Sequence, residues 1–119
     1  MRNLTMLADF YALTMMQGHF SGKKQENGVF EVFFRQSSTF NYAIAAGLEE
    51  AVNFVKNIKF SHEDIKYLRG LNTFTDDFLD YLSEFRFRGN IRAVPEGTVI
   101  FPGEPIITVD ADIKEAMYI

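Results

Sequence analysis

The residues of this chain with the most chemistry to offer are Asp9 and Tyr11, two apart near the N-terminus, Arg35 at the end of an aromatic run, and the two histidines, His19 and His62. Arg35 presents a planar fork of paired donors that suits a phosphate, and the same fork would serve in a surface ion pair with Glu31 or a loop carboxylate. On a regular helix Asp9 and Tyr11 would leave different faces. At a helix entry both can border one cleft, and the plainer alternative is a cap and a core tyrosine. The histidines fall in separate predicted elements with no nucleophile pattern and no metal-ligand spacing, which leaves them surface or capping roles. Pro95-Glu96-Gly97 is accounted for as a turn, and Gly28 and Gly89 form no phosphate-cradling loop. Residue types alone lead to a soluble α+β domain and no further.

Composition narrows the classes. A chain of 119 residues that is 47% hydrophobic, with 13 Phe and 5 Tyr, can build one packed core, which excludes disorder and sets a single domain over residues 1–119. A formal net charge of −4 argues against a nucleic-acid partner, because such surfaces carry a basic stripe that neutralises phosphates. The absence of cysteine excludes a disulfide framework, a zinc-thiolate cluster and a cysteine nucleophile together. No apolar run approaches the roughly 20 residues that span a bilayer, and the N-terminus lacks the layout of a signal peptide. The expectation is a cytoplasmic chain with neither a membrane nor a nucleic-acid partner.

The elements that must position these residues can be read from periodicity and punctuation. Dense apolar residues after Leu4 predict a short buried helix over residues 9–17, capped by Asp9 and closed by Gly18, then a polar loop over 21–28. Residues 28–35 are aromatic and β-branched and read as a strand, with Phe30, Val32 and Phe34 on one face and Glu31, Phe33 and Arg35 on the other. The stretch 29–35 is expected to be central in its sheet, with helices covering one face. Helical spacing of Ile44, Leu48, Ala51, Val52, Val55 and Ile58 predicts an amphipathic helix over 42–57 with Gly47 inside it, where another backbone would approach closely.

Ser61 with Asp64, and Thr75 before Asp76 and Asp77, mark two further helix starts, each with a hydrophobic staple: Phe60 on Ile65 and Phe74 on Leu79. After Gly89 the pattern turns to short strands over 91–94, 98–101 and 106–109, separated by proline and glycine turns and read as a β-meander. Asp112 with Glu115 repeats the cap spacing and opens a last helix that has run barely two turns at Ile119.

Five segments in order, Asp9-Phe-Tyr-Ala-Leu-Thr-Met15, Phe30-Glu-Val-Phe-Phe-Arg35, Ala46-Gly-Leu-Glu-Glu50, Phe78-Leu-Asp-Tyr-Leu82, and Val94-Pro-Glu-Gly97 with Phe101-Pro-Gly-Glu-Pro105, give the chain its character. Their order and spacing resemble nicotinate phosphoribosyltransferase, a type II phosphoribosyltransferase, across nearly the whole chain. The resemblance implies an N-terminal α/β sandwich domain ending in the meander, cut off at the helix that leads to an absent barrel domain. It implies a reaction that joins nicotinate to 5-phosphoribosyl-1-pyrophosphate, giving nicotinate mononucleotide and pyrophosphate with ATP hydrolysis in NAD salvage. ATP and magnesium belong to the full enzyme, with none expected bound to this chain. The phosphorylated histidine of the family lies in the barrel, and neither His19 nor His62 matches its motif.

By the same resemblance, family dimers set the N-terminal domain of one subunit at the barrel site of the other. Tyr11 lies against the pyridine ring, Asp9 lines that site, and Arg35 binds a substrate phosphate presented to the neighbouring subunit. The fragment holds no catalytic residue, should be inactive alone, and should self-associate or expose an apolar patch. One departure is Asp110-Ala-Asp-Ile-Lys114, which replaces a more usual Gly-Pro approach to the next helix.

The nearest rivals are nicotinamide phosphoribosyltransferase and, more distantly, quinolinate phosphoribosyltransferase, since residues that select acid from amide lie largely beyond Ile119. A rival of another class is a non-catalytic dimerisation or ligand-binding module. A lipoyl-like domain needs a lysine at a tight hairpin tip, and neither turn after Gly89 carries one.

Overall fold

Short-range capping and long-range burial together set the helices. The computed structural model describes residues 3–119. Helix α1 spans Phe10–Ser21, α2 Leu48–Asn57, α3 His62–Gly70, α4 Asp76–Ser83 and α5 Ile113–Tyr118. Strands β1 (Asn27–Val32), β3 (Asn90–Ala93) and β5 (Ile107–Asp112) make one sheet, and β2 (Ala43–Ile44) with β4 (Val99–Ile100) makes a separate two-stranded ribbon.

The helical core gathers Leu13 and Met16 of α1, Leu68 of α3, Phe78, Leu79 and Leu82 of α4, and Tyr118 of α5, together with Ile58, Phe60 and Phe85. Rings make up much of it. Phe78 lies 5.6 Å from Phe20, 5.7 Å from Phe74 and 6.1 Å from Tyr81, centroid to centroid. This burial explains why α1 runs four residues past the expected end at Gln17 and carries Gly18 inside it. Phe20 must reach the core, and its contacts outweigh the ~1 kcal/mol cost of an interior glycine. Asp9 does stand at the N-cap position, but its side chain accepts no hydrogen bond from the first turn.

The caps of α3 and α4 follow the sequence. Ser61 Oγ accepts from Asp64 N at 3.2 Å while Ser61 N donates to Asp64 Oδ2 at 2.7 Å, and Thr75 Oγ1 accepts from Phe78 N at 3.3 Å. Phe60 and Leu79 are buried in the core, and Ile65 and Phe74 pack against it. Replacing Ser61 with alanine removes an acceptor from the first turn of α3 and should lower stability by ~1 kcal/mol. A denaturant midpoint that falls with no change in slope would show it, and an unmoved midpoint would contradict it.

Several sequence expectations are corrected by the pairing of strands. The loop before the first strand ends at Glu26, and β1 stops at Val32, short of Arg35. It is also an edge strand: the order is β1-β5-β3, with β5 antiparallel to both neighbours. β5 takes the centre because its residues are buried or half-buried throughout, whereas β1 buries only Gly28. Segments 91–94 and 106–109 do pair with each other, but the one between them does not, so there is no meander; β4 crosses to β2 instead.

That crossing also shortens α2, which was expected from residue 42. Residues 43–44 are in the ribbon, and Gly47 is the N-cap of α2 with φ of +94°, a left-handed conformation that disfavours any side chain with a Cβ. No close neighbour crowds Gly47. The most crowded glycine is Gly89, where an added Cβ would stand 2.3 Å from Ala111 Cβ and 2.7 Å from the Asp110 carbonyl oxygen, so the chain entering β3 lies close against β5.

Alternation gives the sheet one apolar and one polar face. Phe30 and Val32 align with Val109 and Ile107, and these with Ile91 and Ala93, on the side where α5 packs. Asp112 caps α5 by accepting from Lys114 N at 2.9 Å. Glu115 does not complete a box there. It is buried and turns to accept from Arg88 N at 2.7 Å, tying α5 to the chain before β3.

Candidate functional site

The first turn of α1 holds Tyr11, preceded by Asp9 at the cap. The helix is fixed from its other side: Leu13 and Met16 are in the core, and Phe10 sets its ring edge-on to Phe74 at 5.7 Å. Gln17 adds a clamp, its amide donating to the Thr73 carbonyl at 3.2 Å and accepting from Thr75 N at 2.8 Å. Tyr11 is left pointing away from the core and is 61% exposed. Its ring takes no part in the ring–ring contacts among the described residues, and Thr14 Oγ1 donates to its carbonyl at 2.9 Å. Met15, one turn on, is 45% exposed, so the outer side of α1 is an aromatic and thioether surface on a rigid support.

Arg35 lies just past β1 and is exposed. Its segment is held by backbone bonds to the turn before β5: Val32 O accepts from Ile106 N at 2.7 Å and Phe34 O from Gly103 N at 2.9 Å. The ion pair with Glu31 that sequence allowed is not among the three formed by the described residues, which join His19 to Glu26, Arg69 to Asp76 and Lys114 to Asp112. Its guanidinium is therefore held by no carboxylate within those residues.

Asp9, Tyr11 and Arg35 do not line a common enclosed cavity. A polar groove of about 630 Å³ runs between the end of α1 and the starts of α4 and α5, past His19, Lys23, Lys24, Asp77, Tyr81 and Lys114. An apolar pocket of about 280 Å³ lies between the sheet, α2 and the end of α5. Neither includes any of the three. His19 Nδ1 sits 3.8 Å from Glu26, and His62 is the exposed first residue of α3, so both have the surface positions expected of them.

Two tyrosines inside the fold have hydroxyls that burial holds in the protonated form. Burial pushes the Tyr118 hydroxyl up to about 12, with the Asp64 carboxylate adding to the rise. That hydroxyl donates to the Thr5 carbonyl at 2.5 Å, anchoring the N-terminal segment to α5. Tyr81 is raised further still, first by burial, then by the carboxylates of Asp112 and Glu115.

Sequence reasoning missed the groups that brace the site. Gln17 carried no signal, because its partners lie 56 and 58 residues away. Glu96 was read only as a turn residue. In fact its carboxylate accepts from Leu48 N at 2.5 Å and so caps α2 from 48 residues away, while Gly97 N donates to the Ala45 carbonyl at 2.8 Å. An acid inside a Pro-x-Gly turn was the one available hint, since helix N-termini attract carboxylates.

Comparison with known proteins fits this architecture. The model of the nicotinate phosphoribosyltransferase N-terminal domain matches residues 6–119. A nicotinate phosphoribosyltransferase of Mycobacterium tuberculosis is 42% identical over 115 residues, covering 96% of this chain and 25% of that protein. That of Bacillus subtilis is 34% identical over 119 residues, covering 98% and 24%. Among solved structures, human nicotinic acid phosphoribosyltransferase superposes with a TM-score of 0.81 at 28% identity, over 93% of this chain and 23% of that one. The chain thus spans about a quarter of the length of the relatives it matches. With a match that runs from residue 6 to residue 119 on a mixed helix-and-sheet fold, the chain belongs to the nicotinate phosphoribosyltransferase family, in the part that is its N-terminal domain.

Proposed function

We propose that this chain serves as the substrate-presenting N-terminal domain of an enzyme that joins nicotinate to 5-phosphoribosyl-1-pyrophosphate, forming nicotinate mononucleotide and pyrophosphate with ATP hydrolysis, in the cytoplasm. The observation that carries the reading is the exposed Tyr11 ring on a helix locked into the core from behind, within a family match that spans nearly the whole chain. Such a ring is a platform for a flat pyridine, with Asp9 beside it at the helix entry, and Arg35 has a free fork for a phosphate. The three lie open on the surface, with the closing of the pocket assigned to other parts of the full enzyme and to a second subunit of a homodimer.

ATP and magnesium are assigned to the full enzyme. Among the described residues no three His, Cys, Asp or Glu side chains converge as a metal site would need. Among those residues no helix is long and apolar enough to cross a membrane.

A chimera tests the reading: residues 1–119 replace the matching part of the Bacillus subtilis enzyme. It should form nicotinate mononucleotide within about tenfold of the parent's kcat/KM, while this chain alone forms none. A folded chimera with no activity, or turnover by the isolated chain, would refute the proposal.

A further inference from the structure

Asp9 leaves the first turn of α1 without a side-chain cap, so the turn that carries Tyr11 depends on contacts from elsewhere in the chain. One of these comes through Phe10, whose ring meets Phe74 edge-on at 5.7 Å. Gln17 follows Phe10 by seven residues, about two helical turns, and therefore leaves the same side of α1. Its side-chain amide reaches the backbone on either side of Phe74, donating to the Thr73 carbonyl at 3.2 Å and accepting from Thr75 N at 2.8 Å. Phe74 also lies 5.7 Å from the Phe78 ring, and Thr75 caps α4. The amide of Gln17 thus grips the segment whose ring touches the first turn of α1, while Leu13 and Met16 fix the core side and Tyr11 and Met15 stay outward.

We propose that Gln17 is a positioning residue for nicotinate, acting through Phe74 and Phe10 to set where Tyr11 presents its ring. The role rests on the assignment of Tyr11 to the pyridine. It calls for an amide, because the Thr73 carbonyl needs a donor and Thr75 N an acceptor at once, from one flat group. A carboxylate serves Thr75 N alone and turns a second acceptor on the Thr73 carbonyl. Leucine, of similar size, serves neither. Thr73 and Thr75 are exposed, so backbone groups released from Gln17 turn to water, and the loss loosens the segment instead of unfolding the domain. Once it is loose, Phe74 no longer fixes Phe10, and Tyr11 takes orientations in which it cannot stack on the substrate. The cost of ordering the ring then falls on the binding of nicotinate.

Two measurements test it. In this chain, Gln17→Leu should speed hydrogen exchange of the backbone amides in the first two turns of α1 by about fivefold or more and leave those of α3 within about twofold, with circular dichroism unchanged. In the chimera with the Bacillus subtilis enzyme, the same change should raise the KM for nicotinate about three- to tenfold and leave that for 5-phosphoribosyl-1-pyrophosphate within about twofold. Ser61→Ala, which weakens the fold without touching Gln17 or its partners, should leave both KM values within about twofold. Gln17→Glu should act like the leucine change at about pH 8 and recover by about pH 5.5, relative to the unsubstituted chimera at the same pH, because a half-buried carboxyl facing a carbonyl titrates above the usual range and regains a donor when protonated. Unchanged exchange in α1 of Gln17→Leu overturns the proposal, whether or not the chimera is active. A nicotinate KM that rises with Tyr11→Ala but not with folded Gln17→Leu or Gln17→Glu overturns the role of Gln17 and leaves the assignment of Tyr11 standing. If Tyr11→Ala does not move it either, that assignment falls and the role of Gln17 with it. An equal rise with Ser61→Ala reduces Gln17 to a stabilising residue and also overturns the proposal.

Discussion

Tyr11→Ala, placed in the chimera with the Bacillus subtilis enzyme, is expected to lower kcat/KM by roughly ten- to a hundredfold, and Tyr11→Phe to keep most of the activity. The effect has two parts. Offset stacking of a phenol ring on a pyridine gives ~0.5–1.5 kcal/mol beyond the area buried, and is felt by bound substrate and transition state alike. As the pyridine nitrogen attacks the ribosyl carbon, the ring becomes cationic, and a π-face held against a cation adds ~0.5–2 kcal/mol that appears only as the bond forms. The first part raises KM and the second lowers kcat, so both should move. Phenylalanine retains the face that makes both contacts. A Tyr11→Ala chimera with unchanged kcat and KM would remove the ring from the site. Sharing of the site between subunits has its own check: mixing the Tyr11→Ala subunit with one disabled in its remaining part should recover a fraction of the activity, because one of the two sites in the heterodimer is whole. No recovery, with the heterodimer shown to form, would leave each subunit with a site of its own.

Phe78→Ala should cost ~3–5 kcal/mol, a large share of the ~5–15 kcal/mol by which domains of this size are stable. Phe78 is fully buried and touches rings from α1, α4 and the loop before α4. Its loss empties a space that three neighbouring rings, each tied to its own backbone, cannot fill by small shifts. α1 loses the contact between Phe20 and Phe78, so Tyr11 loses part of the support that holds it outward. Equilibrium denaturation would measure the change, and Phe78→Leu, which refills much of the volume, should recover a substantial part of it. A loss below ~1 kcal/mol for the alanine variant would mean that the aromatic cluster is not what holds α1 to α4.

What could be read from the residues in order was whatever is local. The Ser61–Asp64 box and the Thr75 cap were legible because donor and acceptor sit within three residues of each other, and their geometry follows from the helix itself. The motif order that marks the family was legible for the same reason, being a property of residue types and spacing. Of the site, the residue types of Asp9, Tyr11 and Arg35 were visible in this way, together with the start of the helix that carries two of them.

Their exposure was not visible. Whether Tyr11 is a core residue or a platform depends on which side of α1 meets α4, and that is decided by Phe20 and Phe78, 58 residues apart. Gly47 looked like an interior helix glycine because helical spacing begins at Ile44. Only the pairing of Ile44 with Val99, 55 residues on, draws that segment into a strand and makes Gly47 the left-handed cap. Likewise β1 has the stronger strand composition, yet β5 is central, since Asn27 to Val32 and Asn90 to Ala93 both find their hydrogen-bond partners there. Hydrophobic pattern says that a segment must be buried and names no partner, and register between distant strands is chosen by which apolar faces can close on one another at once. Residue types and local spacing therefore determined the helix starts, the family and the candidate residues, while sheet order, the β2–β4 ribbon and the outward turn of Tyr11 were decided by contacts that exist only when the whole chain is packed.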